Sequence, residues 1–470
     1  LRGLRRGPLA VVAAQHERVG LAADASVVVV GDLRLDRGEE PCGRSGQDAA
    51  TWLLGLWRER GPEALDVVAG RFALLVFDAR EGVLVAARDA TGSRRLHVHA
   101  TDGLVVAATS ARAVAAHAAV PCHINAARVA RVLVPVLEWS DPRETLWAGI
   151  LRHEAGTRTT YGARHATAVR LPRPWAANPA DEGHLDEALR QAVADALPAT
   201  GTAAVLLSGG LDSSLVLGLA REVRAARPGL RLWAVGGSAP AGAHCVESRN
   251  QLASVRHGPL DGCVLASPLD LAAPMEHAEH LLEGLDDPFA AGVGSRSFGM
   301  AAAAAAAARV LLTGVEGHLP FDALPSGLAR ALEAGRLGAV LAWASRRATE
   351  HGISRWRVLR EDALRPLLAR HLRGRGAPGL LRTAQAMLAE SDFALGRHAG
   401  LDLPSQVVEA IRHRVWDERG RWVAEAQRQG ERIAGPTMPV AAERYAGLGD
   451  AFDVALDHPL MDPRALAVAR

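Results

Sequence analysis

Lysine is missing from this chain altogether: all 54 residues counted as Lys+Arg are arginine. That absence removes several chemistries at once. A Walker A loop needs its lysine on the phosphates, and a protein kinase needs a strand lysine on ATP, so both classes are excluded. Schiff-base catalysis and covalent attachment of pyridoxal phosphate need a lysine amine and fall with them. Cysteine is scarce. Cys42, Cys122, Cys245 and Cys263 are the four in 470 residues. None are close enough to form a zinc ribbon or a CxxC redox motif. So few cysteines in so long a chain make no disulfide framework, and a reducing cytoplasm is the expected compartment. Long apolar runs are lacking too. The most apolar stretch, Phe298–Leu312, is broken by Arg309, so no span of about eighteen apolar residues is available to cross a membrane. An excess of one charge sign is also absent. Basic and acidic residues number 54 and 52, a formal charge of +2, which is no electrostatic footprint for nucleic acid or an anionic membrane.

What is present is enough for more than one core: 49% of the residues are apolar and 23% charged, and the length suggests two or three domains. The first third reads as strands and turns. Ser26–Gly31, Phe72–Phe77, Val83–Ala87 and Leu104–Ala108 are short β-type runs separated by Asp/Gly clusters. Between the first two, Asp48–Arg60 carries helical spacing and stops before Gly61-Pro62. The basic-then-apolar start, ending in Val11-Val12-Ala13-Ala14, reads as a first strand rather than a signal peptide. No Met opens the chain, and an incomplete N-terminus is expected. The proline-rich stretch Leu171–Gly183 reads as a linker. Beyond it the pattern changes to helix Leu185–Leu197, strand Ala203–Leu207, helix Ser214–Ala226 and strand Leu230–Val235. An alanine-rich helix, Met300–Ala308, then feeds strand Val310–Leu312. Such alternation predicts a parallel sheet covered by helices. From about residue 328 the chain reads as mostly amphipathic helix.

One segment carries chemistry. A buried strand ending at Leu207 runs into Ser208-Gly209-Gly210-Leu211-Asp212-Ser213-Ser214, which opens a helix. Two glycines let backbone N–H groups approach phosphate without a Cβ in the way. Ser208, Ser213 and Ser214 add hydroxyl donors, and the helix presents its partial positive end. Asp212 is suited to hold Mg2+ on the phosphates. The string resembles the pyrophosphatase loop of enzymes that split ATP to AMP and pyrophosphate, adenylate a carboxyl oxygen, and let a nitrogen nucleophile displace AMP.

Further segments, in order, resemble the asparagine synthetase superfamily. Gly70-Arg71-Phe72-Ala73 with Phe77-Asp78, the turn Arg88–Leu96, and Glu144–Ile150 resemble its glutaminase-type domain. Trp233–Gly236, Asp286-Asp287-Pro288, Leu311–His318 and Asp457–Asp462 resemble its synthetase domain. The resemblance implies an α/β protein with an N-terminal glutaminase-like (Ntn-type) αββα domain, residues 1–172. A linker, 173–184, would lead to an ATP-pyrophosphatase domain of the adenine-nucleotide α-hydrolase-like, parallel-sheet type, residues 185–470, expected to stop short of the family's C-terminus. It implies ATP and Mg2+. Leu207, Val235, Thr313 and Gly314 would join the first loop around the nucleotide, and His318 would stand with Asp212 at the metal. Glu316 would supply a carboxylate at the second loop. Glu350 and Glu443, on predicted helices, are the other candidates for the base that deprotonates an attacking amine.

The departures narrow the function. A working glutaminase half needs an N-terminal cysteine, and its glutamine-binding Asn-Gly-Glu reads Val30-Gly31-Asp32 here. Synthetases of this family that lack the cysteine resemble β-lactam synthetases and lasso-peptide macrocyclases, and Ser326–Leu337 is similar to the latter. His318 replaces an oxygen ligand, Val315 replaces the catalytic Glu or Tyr, and the family's late lysine is absent. The expectation is a cyclase that joins the carboxylate and amine of one precursor peptide, with a leader peptidase as partner, or that acts on a small carboxylate. Asparagine synthesis and a degenerate nucleotide- or peptide-binding homologue remain open. Cys42 as a nucleophile, His97 with His99 as a metal pair, and Arg370–Arg375 as an anion grip are each outweighed by a packed or solvated reading.

Overall fold

The β-branched run near Val27 extends into a long strand because its alternate residues have a helix to bury against. In the computed structural model the described residues are 2–14, 18–37, 40–41, 45–126, 128–129, 143–163, 165–172, 185–239, 245–267, 286, 293–315, 332, 335–351, 354–364 and 437–468. The chain divides into two compact units, one of residues 1–320 with 409–470 and the other of 321–408. The expected linker 173–184, Cys42 and Arg370–Arg375 lie outside the described residues.

The first unit begins with hairpin β1 (Arg2–Arg6) and β2 (Leu9–Ala13). Then come β3 (Val19–Ala23), β4 (Val27–Arg37), β5 (Glu40–Pro41) and helix α1 (Gly46–Arg60). Strands β6 (Ala69–Asp78), β7 (Val83–Arg88), β8 (His97–Thr101) and β9 (Leu104–Ala108), helix α2 (Ala111–Ala115), and strands β10 (Leu151–Arg152), β11 (Thr157–Tyr161) and β12 (Ala166–Arg170) complete this part. An antiparallel sheet runs β12-β11-β7-β6-β4-β3, with β5 on β4, and a smaller one runs β10-β8-β9. Val27, Val29, Leu33 and Leu35 of β4 pack with Leu53 and Trp57 of α1 on one face. Ala73 and Ala86 on the other face meet Leu96 and Val98 beside the small sheet. Val114 of α2, with Val120 and Ile150, covers that sheet's far side against Val106. The layers are therefore helix, sheet, sheet, helix, as expected.

Helix α1 starts two residues earlier than its apolar periodicity. Ser45 and Asp48 form a capping box, satisfying backbone donors at the helix start. Gly46 then crosses Gly20 of β3. A Cβ on Gly20 would lie 2.0 Å from the Gly46 carbonyl oxygen.

The synthetase part contains α3 (Leu185–Ala196), β13 (Gly201–Leu206), α4 (Leu211–Ala226), β14 (Leu230–Gly237), α5 (Val246–Arg256) and β15 (Gly262–Ala266). It continues with α6 (Val293–Ala305) and β16 (Val310–Thr313). The other unit holds α7 (Leu337–His351), then the short helix Arg355–Val358 capped by Ser354. Back in the first unit are α8 (Thr437–Ala451), β17 (Ala455–Asp457) and α9 (Pro463–Val468). The sheet order is β15-β14-β13-β16-β17, and every pairing is parallel. Met300, Ala302 and Ala303 of α6 pack with Ala204, Val235 and Leu311 of the sheet. The alanine helix ends three residues before its expected limit. Ala307 takes φ +54, and Ala308 N donates to Ala303 O at 2.8 Å, a Schellman ending normally built on glycine. Among the described residues no helix is long and apolar enough to cross a membrane.

Charged side chains join the N-terminal layers to the C-terminal segment. Buried Arg71 of β6 pairs with Asp457 of β17. Arg34 of β4 bonds Asp195 at 2.7 Å and Asp462 at 3.3 Å, and Arg464 bonds both carboxylates as well. His97, expected on a packed or solvated face, is buried against Glu443, while His99 donates from Nδ1 to Gly149 O at 2.9 Å.

Buried His153, 3.0 Å from Thr159 Oγ1, makes acid stability testable. Burial first, and the nearby Arg88 charge second, depress its pKa from 6.5 to about 4. Above pH 6.5 the folded and unfolded states are both neutral there. As pH falls toward 4 the unfolded state binds the proton first, so stability is lost in that window. The full difference is about 3 kcal/mol. Urea unfolding of wild type and His153→Gln at pH 7 and pH 4.5 should show the steeper loss in wild type; equal losses would remove His153 from the acid response.

Candidate active site

The sheet order creates the site. From central β13 the chain moves outward to β14 and β15, then returns to place β16 and β17 on the other side. Connections leaving β13 and β16 therefore diverge, and the crevice beyond their carboxyl ends is where open α/β sheets bind ligands. Loop 207–210 leaves β13, and Gly314-Val315 leaves β16. The two strands are in register at Leu206 and Thr313.

The first loop is closed on itself. Ser213 Oγ donates to Gly210 O at 3.2 Å and accepts from Ser208 N at 3.2 Å. Ser208 Oγ stands 3.0 Å from Ser213 Oγ. Ser214 Oγ pairs with Ser254 Oγ of α5 at 3.1 Å. Ser213 and Ser214 thus brace the loop, and Ser208 is the exposed hydroxyl. Gly209 adopts φ +84, and its Cβ would fall 2.1 Å from Glu247 O. Gly210 is the N-cap of the sixteen-residue α4, and among the described residues no side chain caps that end. An uncapped helix start beside a glycine turn is a ready anion site. Leu211, at the first helical position, is 90% exposed.

Other residues fix this loop against its neighbours. Leu207 and Val235 are buried, and Leu207 N donates to Val235 O at 2.8 Å. Gln251 of α5, 1% exposed, donates through Nε2 to Leu207 O and Gly237 O, each at 2.8 Å. A Cβ on Gly314 would sit 2.6 Å from Ser213 N and 2.7 Å from Asp212 C. The second loop is thus seated on the first by backbone contact. Thr313 is buried; its Oγ1 accepts from Val315 N at 3.3 Å and lies 2.6 Å from His458 Nδ1. Gln251 was not singled out in the sequence; His458 was included there only within the segment Asp457–Asp462, with no role of its own.

The described part of the cradle fits a nucleotide polyphosphate. Asp212 is half-buried in the first turn of α4. Mg2+ on nucleotides is commonly held by one or two carboxylates plus phosphate oxygens, so Asp212 can serve from the protein side. Among the described residues no group of three or more His, Cys, Asp or Glu side chains is placed to hold a metal. Glu316 and His318 lie outside the described residues. Glu350 belongs to α7 of the other unit.

Glu443 requires a correction. The amine-deprotonating role expected for it does not fit its surroundings. It is buried, and its Oε1 accepts from Arg152 Nε at 2.5 Å and from His97 Nε2 at 3.0 Å. Burial raises its pKa, but Arg152, His97 and Arg88 outweigh burial and hold the carboxyl well below its ordinary value. A carboxylate kept ionised in this way is a poor proton acceptor. Asp286, from the turn that resembles the family's Asp-Glu-Pro, accepts from Ser110 Oγ at 2.8 Å and Arg112 N at 3.0 Å. It also lies 3.9 Å from Arg95 Nη1, so its described contacts are with the N-terminal layers.

The sequence model of the family described as asparagine synthase matches residues 184–400. That of the glutamine amidotransferase domain matches residues 34–171. The chain belongs to the asparagine synthetase superfamily. Asparagine synthetase B [glutamine-hydrolyzing] of Escherichia coli (strain K12) is 26% identical over 196 residues, 42% of this chain and 31% of that protein. The match thus spans under a third of that relative. Glutamine phosphoribosylpyrophosphate amidotransferase from B. subtilis, complexed with ADP and GMP, is 12% identical. The match covers 49% of this chain and 50% of that one, with a TM-score of 0.20. A structure described as the allosteric regulatory enzyme of purine biosynthesis is 11% identical, covering 53% and 62%, also at 0.20.

Because Gly314 touches backbone, its substitution is a sharp test of the superfamily cradle. Gly314→Ala should weaken binding of an ATP analogue at least about tenfold, since a Cβ at 2.6 Å must displace the loop. Its far-ultraviolet circular dichroism should stay unchanged. Calorimetric titration beside Gly55→Ala, at a helical glycine of α1 with open space around it, reads the difference; equal affinities would place the nucleotide elsewhere.

Proposed function

We propose that this chain adenylates a carboxylate with ATP and passes the acyl group to an amine, and that both groups belong to one precursor peptide. A carboxylate oxygen attacks the α-phosphorus, and the bond to pyrophosphate breaks. The amine nitrogen then attacks the acyl carbon, AMP leaves, and the amine proton passes to a base. Adenylation is what turns a poor leaving group into a good one. The observation that carries this reading is the seating of Gly314 on Asp212 and Ser213 at the sheet's switch point.

The uncapped start of α4 and the backbone near Gly209 and Gly210 would receive the phosphates. Mg2+ bound at Asp212 would offset their negative charge. Leu207 and Val235 support the wall beside the nucleotide, and Thr313 with Gly314 closes the second loop on it. Glu316 is the proposed base, adjoining that loop in sequence; Glu350 is the alternative. His318 would complete the metal site only if an oxygen-rich partner shares the work, because imidazole is a weak ligand for Mg2+.

Ring closure is favoured over glutamine use by the state of β4. Asp32, where the resemblance places the glutamine-binding acid, is drawn into charge contacts with Arg94 at 3.3 Å and Arg18 at 3.6 Å. Val30 stands in place of the amide-binding asparagine. The amine is therefore supplied by the substrate, and a leader peptidase is the proposed partner that exposes it. The cytoplasm is the proposed compartment.

Pyrophosphate release decides among the readings. Precursor peptide with its peptidase, ATP and Mg2+ should give release, and Asp212→Ala should lower the rate about 100-fold or more. Release with aspartate and ammonia instead would make the protein an asparagine synthetase. Binding of an ATP analogue with no release under either condition would make it a non-catalytic homologue.

A further inference from the structure

Adjacent residues at the end of β17 face two different places. Asp457 pairs with Arg71 of β6 and lies 3.5 Å from Arg94 Nη2. His458 puts Nδ1 2.6 Å from Thr313 Oγ1 at the end of β16. Successive side chains of extended backbone point to opposite sides, so one short strand end touches both the N-terminal layers and the second nucleotide loop. That strand has only three residues and, among the described residues, pairs with β16 alone, through Val310↔Ala455, Leu311↔Leu456 and Leu312↔Asp457. Three ladder pairs at a sheet edge hold a strand weakly, so its side-chain anchors set its position.

The hydrogen-bond roles are consistent along the path. Thr313 Oγ1 accepts from Val315 N, leaving its own hydrogen for His458 Nδ1 when that nitrogen is the acceptor. Gly314, between them, rests on Asp212 and Ser213. Arg71, Asp457, His458 and Thr313 are all buried, so water does not readily replace these partners. Tyr445 stands edge-on to the His458 ring, with centroids 6.0 Å apart, and limits its rotation.

We propose that Arg71, Asp457, His458 and Thr313 form a brace through which the N-terminal domain positions the second nucleotide loop for ATP. The proposal rests on the adenylation reading. Arg71, His458 and Thr313 are positioning residues: each acts on the nucleotide through Gly314 and Val315. An amidotransferase-like domain that supplies no ammonia then still contributes to the reaction, by holding the loop that closes on the phosphates.

Two measurements on the full chain separate this brace from the reading beneath it. The first is amide hydrogen exchange without nucleotide, which needs no activity. Thr313→Val, nearly isosteric, should speed exchange in peptides covering 311–315 and 208–214, while Thr313→Ser should restore the wild-type rate. His458→Leu should behave as Thr313→Val, and His458→Asn, which keeps a polar atom near Nδ1, should largely restore protection. Arg71→Lys keeps the charge but loses the planar fork, and should also loosen 311–315. Unchanged exchange in Thr313→Val overturns the brace. Loosening by the Thr313 and His458 variants but not by Arg71→Lys overturns the N-terminal domain's share of it.

The second measurement is the KM for ATP in pyrophosphate release. Thr313→Val should raise KM about tenfold, the scale of one or two lost neutral hydrogen bonds, with kcat changed less and Thr313→Ser near wild type. A wild-type protein that releases no pyrophosphate defeats the adenylation reading, whatever the exchange data show. A wild type that turns over, beside a Thr313→Val protein with unchanged KM, defeats positioning of the nucleotide.

Discussion

Buried ion pairs between arginines of the N-terminal layers and carboxylates of the last segment hold the first unit together. Asp457 meets Arg71 and Arg94, Asp462 meets Arg34 and Arg464, and Glu443 meets Arg152 and His97. Such pairs add little net stability, because desolvating both charges offsets much of their attraction. Their effect is on geometry. A buried carboxylate left without its arginine costs about 3–5 kcal/mol, so alternative placements of β17 and α8 are strongly disfavoured. In this lysine-free chain every partner but His97 is a planar, multi-donor guanidinium, which fixes direction as well as distance.

The nucleotide cradle depends on that placement at one remove. Parallel strands β13 and β16 bring two glycine-bearing loops to the same sheet edge, but strand pairing alone does not set how tightly one loop lies on the other. Gly314 permits the contact by having no side chain. Thr313 and His458 add direction, and Asp457 ties them to Arg71. Gln251 does comparable work on the other side, joining the carbonyls of Leu207 and Gly237. Rigid supports at both ends suit a site whose proposed phosphate donors are mostly backbone N–H groups, which cannot adjust by changing rotamer.

Local chemistry was legible in the sequence, and long-range chemistry was not. Strand Leu104–Ala108 has the bounds expected from its apolar run, and Val83–Arg88 differs by a single residue. The turn Ser208–Gly210 announces itself because glycine and serine are required where the backbone must meet an anion. The end of α6 was hidden for the opposite reason. Ala307 takes the left-handed conformation usually given to glycine, so nothing in the alanine run marks where the helix stops. Glu443 looked like any helical glutamate. Its arginine and histidine neighbours lie 291 and 346 residues away in sequence, a separation at which periodicity carries no information. Segment Asp457–Asp462 was legible as a resemblance, but the contact of its His458 with Thr313 was not until β16 and β17 were paired.

These pairings also supply a physical reason for a synthetase to keep an amidotransferase-like domain whose own chemistry, on the reading proposed here, is gone. Deleting the N-terminal domain would remove Arg71 and Arg94 from Asp457, Arg34 from Asp462, and Arg152 with His97 from Glu443. Three carboxylates buried in the intact unit would lose N-terminal charge partners together, and only Asp462 would retain a described arginine partner, Arg464. Loss of glutamine chemistry relaxes the requirements at Val30 and Asp32. It does nothing to relax those at Arg71, Arg94 and Arg152, whose task is to accommodate buried negative charge. The domain can thus lose one function without becoming dispensable, because its arginines are part of the other domain's fold.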